Sequence, residues 1–146
     1  MATNKKSAQL IFWGMVLFFL GLITGLQLPA MTNQRMGLSA HLEGILNGLF
    51  LMLLGLIWPK IKCPPRMLNL IYILVLYAGF ANFAAVLLAG ITGAGKMMPI
   101  AGGVEGSPAL ELVISFLLVS LTISILAAAV LLLYGLYHTA FEQKPS

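Results

Sequence analysis

Four long apolar segments dominate this chain of 146 residues and constrain its fold more than any other feature. A helix that crosses a bilayer needs roughly 20 mostly apolar residues, and each segment is close to that length or longer. Because the backbone of a spanning segment must satisfy its own hydrogen bonds in lipid, we predict an all-α membrane protein. The expected architecture is a single four-helix transmembrane bundle over residues 1–146. The predicted helices cover about 10–28, 41–58, 68–91 and 110–137.

The composition excludes several other classes of protein. Hydrophobic residues make up 60% of the chain and charged residues 8%, against about 45–50% and about 25% in soluble domains. Intrinsic disorder needs the opposite balance. Cys63 is the only cysteine, so a disulfide framework is excluded. The net charge of +4 comes from basic residues spread between the apolar segments, so we expect no nucleic-acid binding.

The distribution of lysine and arginine predicts the orientation in the membrane. Six basic residues lie in the terminal tails and the second connection, and two lie in the first and third connections. We therefore predict a multi-pass membrane protein with both termini and the second connection in the cytoplasm. No small-residue cleavage site follows the first segment, which is expected to remain as a helix. The six are Lys5, Lys6, Lys60, Lys62, Arg66 and Lys144; the two are Arg35 and Lys96.

The second apolar segment carries the polar residues that most need an explanation. His41, Glu43 and Asn47 lie within seven residues of one span, where an ionisable group costs about 2.5–3.5 kcal/mol. At about 100° per residue, Glu43 and Asn47 share one face of the helix. Asn82 lies near the middle of the third span, and we expect it to bond Glu43 or Asn47. Glu43 is a candidate proton carrier, substrate-binding group or structural acceptor.

Another face of the same segment carries glycines, with His41 at its edge. Gly44 and Gly48 either let another helix approach closely or let a flat cofactor ring lie against the backbone. If Ser39 caps this helix, His41 lies in the first turn, where the helix dipole disfavours its charged form. A neutral imidazole is what a metal requires. His41 is therefore a candidate metal ligand, with an interfacial hydrogen-bonding role as the alternative.

The third connection, about 92–109, is long and rich in glycine, and loops of this length are often functional. Ser107 followed by Pro108 predicts the start of the fourth helix. Glu111 then lies in the first turn, where the helix dipole favours an anion. We expect Glu111 to cap its own helix.

Residues 32–48, of sequence TNQRMGLSAHLEGILNG, resemble the hydroxylaminobenzene mutases, a family of small bacterial membrane enzymes. The runs at 76–82 and 99–102 also look like that family, and the resemblance covers nearly the whole chain. It implies an isomerase that converts an aryl hydroxylamine to an ortho-aminophenol by moving the hydroxyl within one molecule. The implied substrate is a small aromatic hydroxylamine such as hydroxylaminobenzene.

The chain is also similar, more distantly, to styrene oxide isomerase, another four-helix membrane isomerase. Its helix-2 histidine and the asparagine-glycine pair six residues later correspond to His41, Asn47 and Gly48. The resemblance implies that His41 ligates haem b at a subunit interface of a homo-oligomer, a trimer, where the ferric iron acts as a Lewis acid. Val86 stands where that enzyme has an active-site tyrosine. This departure favours a substrate other than an epoxide.

The polar residues and the two family resemblances together predict the site residues, and two other functional classes stay open as alternatives. We expect Asn47 and Asn82 to orient the substrate and Glu43 to move a proton or tune the site. One alternative is a small proton-coupled exporter of hydrophobic amines, although the carboxylate expected in its first helix is absent here. A second is a non-catalytic haem carrier, which usually needs two axial ligands. The only other histidine, His138, is predicted at the opposite end of the membrane.

Overall fold

The computed structural model of the protein describes residues 2–141, with side chains from residue 5 onward. This part of the chain contains four α-helices: α1 (Ala2–Gln27), α2 (Gln34–Ile57), α3 (Pro65–Thr92) and α4 (Pro108–Phe141). Each is long and apolar enough to cross a membrane. The prediction of an all-helical protein with four spanning helices is therefore confirmed. Lys144, one of the residues that predicts the orientation, lies outside the described residues.

Helix α2 begins at Gln34, well before the start expected near residue 41. Its N-cap is Asn33, whose side-chain oxygen accepts the backbone N–H groups of Arg35 and Met36, each at 3.1 Å. His41 consequently lies about two turns inside the helix. The expectation that Ser39 caps α2 is wrong, and the helix dipole gives no reason for His41 to be neutral.

Glycines bring α1 and α2 into backbone contact. A methyl group added at Gly44 would lie 2.5 Å from the Cα of Gly21, and one added at Gly48 would lie 2.7 Å from the carbonyl oxygen of Gly14. Such distances leave no room for a side chain on either helix. Close approach through small residues is the usual way in which helices associate in lipid. The glycine face of α2 is therefore a packing surface for α1.

Helices α1, α2 and α3 form the core, and α4 lies against the outer side of α3. Trp13 of α1 packs edge to face on Phe80 of α3, with ring centroids 6.0 Å apart. Helix α4 has almost no contact with α1 or α2. Most of its large apolar side chains are exposed, as a lipid-facing surface requires. A groove of about 500 Å³ remains between α2 and α4, so the bundle is open on this side.

The connection between α3 and α4 folds back on itself as a compact loop. An isolated bridge joins Ala94 to Val104, and a single 3₁₀ turn covers Pro99–Ala101. Helix α4 then begins at Pro108, as the preceding Ser107 predicts. This loop lies at the same end of the molecule as the start of α2, which it contacts.

Candidate functional site

A carboxylate and two amides form a polar network between α2 and α3. The Nδ2 of Asn47 donates to Oε2 of Glu43 at 3.0 Å, and the Nδ2 of Asn82 donates to the same oxygen at 2.5 Å. All three side chains are half-buried. The expected partner of Asn82 is thus confirmed as Glu43. Two N–H donors on one carboxylate oxygen make this network the main polar feature of the helical core.

The network lies deep within the spanning helices. Glu43 is about 14 Å along the axis from the first residue of α2, and Asn82 is about 15 Å from the last residue of α3. The two helix ends are adjacent, because the Asn33 N–H donates to the Gly90 carbonyl at 3.0 Å. Glu43 and Asn82 therefore meet at one level, about 14–15 Å from the helix ends beside the loop between α3 and α4.

A cavity of about 440 Å³ borders Glu43 and Asn82. This volume lies within the range of about 300–1,000 Å³ that is typical of small-molecule sites, which are mostly apolar with a few polar groups. Ser39, one turn before Glu43, is the third polar side chain of the wall. The rest of the wall comes from Met36, Val86 and Leu118 of the helices and from loop residues 97–101.

Asn47 does not border this cavity. It lies on the open groove between α2 and α4, while its amide supports Glu43 from one helical turn away. The structure thus brings together the three predicted residues, but of these three only Glu43 and Asn82 border the cavity. Asn47 can affect the cavity only through its hydrogen bond to Glu43.

His41 contacts α1 rather than α3. Its Nδ1 lies 2.8 Å from the carbonyl oxygen of Gly21. A carbonyl can only accept, so Nδ1 carries a proton and donates it to Gly21. Residues two apart on a helix point about 200° apart around its axis. His41 and Glu43 therefore lie on nearly opposite faces of α2, and the structure does not bring them into one site.

The structure corrects the cofactor role expected for Gly44 and Gly48. The backbone of α1 occupies the face that a cofactor ring would need, at Gly21 and Gly14 respectively. Neither glycine can contact a porphyrin in this arrangement. Among the described residues, no three histidine, cysteine or acidic side chains come together to hold a metal ion. A haem iron needs fewer protein ligands, and His41 remains the candidate.

The sequence did not predict that the side chains of Glu111 and Asn33 hold the loop between α3 and α4. The Glu111 carboxylate accepts the backbone N–H groups of Gly95, Lys96 and Gly106, at 2.8–3.1 Å for the shortest distance to each. Among the described residues the Glu111 side chain bonds the loop and not the first N–H groups of α4, so the expectation that it caps its own helix is not confirmed. Asn33 donates through Nδ2 to two carbonyl groups of the same loop. An asparagine before a helix was a visible capping signal, whereas nothing in the sequence shows which loop amides face Glu111.

The fold and the network define a small multi-pass membrane protein with an acid–amide site that borders a cavity among its helices. The family model described as Styrene oxide isomerase matches residues 6–137. The chain belongs to this family.

Two relatives make the comparison more specific. The chain is 48% identical over 130 residues to hydroxylaminobenzene mutase HabB of Ectopseudomonas oleovorans, a match that covers 88% of this chain and 79% of that one. It is 44% identical over 125 residues to hydroxylaminobenzene mutase HabA of the same organism, covering 84% and 93%. No solved structure gives a significant match. The protein is an isomerase of the mutase type.

Proposed function

We propose that the protein converts aryl hydroxylamines such as hydroxylaminobenzene to 2-aminophenols by moving the hydroxyl group within one molecule. The observation that carries this proposal is the Glu43–Asn82 pair at the wall of a mostly apolar cavity. Apolar walls suit the phenyl ring, and the polar pair suits the N–H and O–H groups of a hydroxylamine. The names of the two relatives support the same substrate class.

The reaction breaks the N–O bond and forms a C–O bond at the ortho carbon of the same ring. That carbon then loses its proton, and the nitrogen gains one, so substrate and product are isomers. Glu43 is the titratable group at the cavity, and we assign this proton transfer to its carboxylate. Asn82 uses an N–H to hold Glu43, and its amide oxygen is left to accept a hydrogen bond from the substrate.

The walls of the cavity also protect the reaction intermediate from water. After N–O cleavage the aryl nitrogen is short of electrons, and bulk water would add to the ring in place of the original hydroxyl. A site with mostly apolar walls disfavours that side reaction because it keeps water away from the ring. Val86 contributes an aliphatic wall at the position where styrene oxide isomerase has a tyrosine, which disfavours epoxide isomerisation as the activity.

The proposal includes haem b held by His41. The donation of the Nδ1 proton to a backbone carbonyl is the arrangement typical of metal-ligating histidines, and it leaves Nε2 as the ligand atom. When bound, a ferric haem supplies a Lewis acid that polarises the N–O bond. Because His41 and Glu43 lie on nearly opposite faces of α2, the proposal also includes a homo-oligomer, and the family resemblance favours a trimer.

We place the enzyme in the bacterial inner membrane with both termini in the cytoplasm, on the distribution of basic residues. The amine exporter is set aside because the family and both relatives are isomerases.

An oxygen-tracing assay tests the proposed reaction. Purified protein in lipid nanodiscs is given hydroxylaminobenzene in water enriched in oxygen-18. We expect 2-aminophenol with unlabelled oxygen, and we expect Glu43→Gln to lose most of the activity while keeping its fold. Failure to form 2-aminophenol contradicts the substrate assignment, and a labelled product contradicts the intramolecular transfer.

A further inference from the structure

Residues 95–106, called the roof below, contribute residues 97–101 to the wall of the cavity, and one carboxylate holds both ends of this segment. Oε1 of Glu111 accepts the N–H of Gly106 at 2.8 Å and that of Gly95 at 3.1 Å. Oε2 accepts the N–H of Lys96 at 3.1 Å. Gly95 and Gly106 are the first and last residues of the roof, so Glu111 closes its base.

The tip of the roof is fixed from a different helix. Nδ2 of Asn33 donates to the carbonyl of Gly102 at 2.9 Å and to that of Ala101 at 3.2 Å. Asn33 is itself immobilised, because its side-chain oxygen caps α2 and its backbone N–H bonds Gly90. The roof is thus tied to α4 at its base and to α2 at its tip.

Apolar burial at the tip is uneven, because Met98 and Ala101 pack against the core whereas the two other large side chains are exposed. Ile100 is 96% exposed and Met97 is 51% exposed, although both border the cavity. Hydrophobic stabilisation scales with the apolar area removed from water, so these residues cannot hold the roof closed in water. Charge-assisted hydrogen bonds are the stronger kind, and Glu111 makes them with three separate backbone N–H groups.

We propose that Glu111 is a positioning residue for the reaction, which keeps water from the cavity by closing the base of the roof. This inference rests on the proposed function, because it concerns how the intramolecular transfer is protected. Glu111 does not border the cavity, so it acts through the roof and not on the substrate. With the base open, the substrate hydroxyl leaves as water after protonation. A solvent water then adds to the ring carbon and releases a proton. The product is the same aminophenol with oxygen from solvent.

The experiment compares wild type, Glu111→Ala and Glu111→Gln in water enriched in oxygen-18. We expect unlabelled product from wild type and several-fold more label from Glu111→Ala. Glu111→Gln should fall between them, because glutamine keeps the length of the side chain but offers one acceptor oxygen. If the alanine variant does not fold, the label in the product is compared between wild type and Glu111→Gln. Backbone hydrogen exchange over the roof should be about tenfold faster in Glu111→Ala, since three charge-assisted bonds are lost.

Glu105→Gln is the matched control. Glu105 lies in the same loop, is 71% exposed and pairs only with Lys96 at 2.9 Å. This hydrogen bond raises the pKa of Lys96 but ties no part of the roof to a helix. The control should behave as wild type, and label equal to that of Glu111→Ala would overturn the inference. Unlabelled product from every variant would overturn it as well. Label in the wild-type product would instead overturn the proposed transfer itself.

Discussion

The imidazole of His41 fits against α1 only because residue 25 is glycine. A methyl group added at Gly25 would lie 2.6 Å from Nδ1 and 2.8 Å from Cε1 of His41. One turn earlier, Gly21 supplies the carbonyl that accepts the Nδ1 proton. Two glycines of α1, four residues apart, therefore set both the position and the orientation of this ring.

Gly25→Ala should weaken haem binding. The new methyl group displaces the imidazole and breaks its bond to Gly21, and loss of such a supporting bond typically costs about 10–100-fold in metal affinity. Titration of the haem-free protein with haem, followed at the Soret band, measures the effect. Gly79→Ala is the control, because its nearest neighbour would be at 3.5 Å, an ordinary contact. Equal affinity of Gly25→Ala and wild type would show that the Gly21 bond does not support a ligand.

His41→Ala should abolish the Soret band of the purified protein together with its activity. His138→Ala should retain both, because His138 lies near the far end of α4 among Tyr134 and Tyr137. An absorption spectrum of each variant measures the Soret band, and an assay with hydroxylaminobenzene measures the activity. A colourless but active wild-type preparation would contradict the haem proposal and leave Glu43 as the main candidate for acid–base chemistry.

Asn82→Leu and Asn47→Leu should differ in their kinetics. Each variant removes an N–H donor from Glu43, and a hydrogen bond of this kind is worth about 1–3 kcal/mol, or roughly 5- to 160-fold in rate. Asn82 also borders the cavity, so its loss should raise KM as well as lower kcat. Asn47 acts through Glu43, so its loss should lower kcat with little change in KM. Equal losses in activity, yield and thermal stability would indicate a structural role instead.

Gly44→Ala should destabilise the α1–α2 pair. Its methyl group would meet the backbone of Gly21 at 2.5 Å, and forcing a group into a packed interface typically costs about 1–3 kcal/mol. The thermal unfolding midpoint should fall, whereas Gly79→Ala should leave it unchanged or raise it slightly because alanine favours helix. No difference between the two variants would mean that α1 and α2 separate easily.

The orientation of the protein in the membrane can be determined with a reporter that is active only in the periplasm. Fused after Ser146, it should be inactive, because six of the eight basic residues lie on the side assigned to the cytoplasm. Fused within the loop between α3 and α4, it should be active. The reverse pattern would invert the orientation and place the roof in the cytoplasm.

The spanning helices could be predicted because lipid leaves the backbone no alternative, but hydropathy does not reveal their ends. The first seven residues of α2, from Gln34 to Ala40, include three polar side chains and lie outside the apolar stretch. They are helical because Asn33 caps them and the loop packs against them. Because the N-terminal end of α2 depends on capping, a prediction from the length of apolar segments does not find it.

The glycine face of α2 could be predicted, but its partners on α1 could not be predicted from glycine spacing. Gly14 meets Gly48 and Gly21 meets Gly44, so glycines seven residues apart on α1 contact glycines four residues apart on α2. Gly25 contacts an imidazole and no glycine. The packing of the whole helix surfaces, and not a match of glycine positions, therefore sets this pairing.

The carboxylate–amide network could also be predicted, since an acid within a span needs a partner. The roof could not be predicted. Its bonds join Glu111 to backbone N–H groups up to 16 residues away and Asn33 to carbonyls 68 and 69 residues away. Backbone groups are identical at every position, so residue types do not indicate which of them a distant side chain will meet.

The bond between Glu43 and Asn82 has a consequence for how the enzyme is made. Asn82 follows Glu43 by 39 residues, so a ribosome synthesising the chain from its N-terminus exposes the acid well before its second partner. During that interval the α1–α2 hairpin holds a carboxylate supported by Asn47 alone. Docking of α3 completes the coordination of Glu43. Insertion of α3 and completion of the hydrogen bonds of Glu43 are therefore a single event in the biogenesis of this protein.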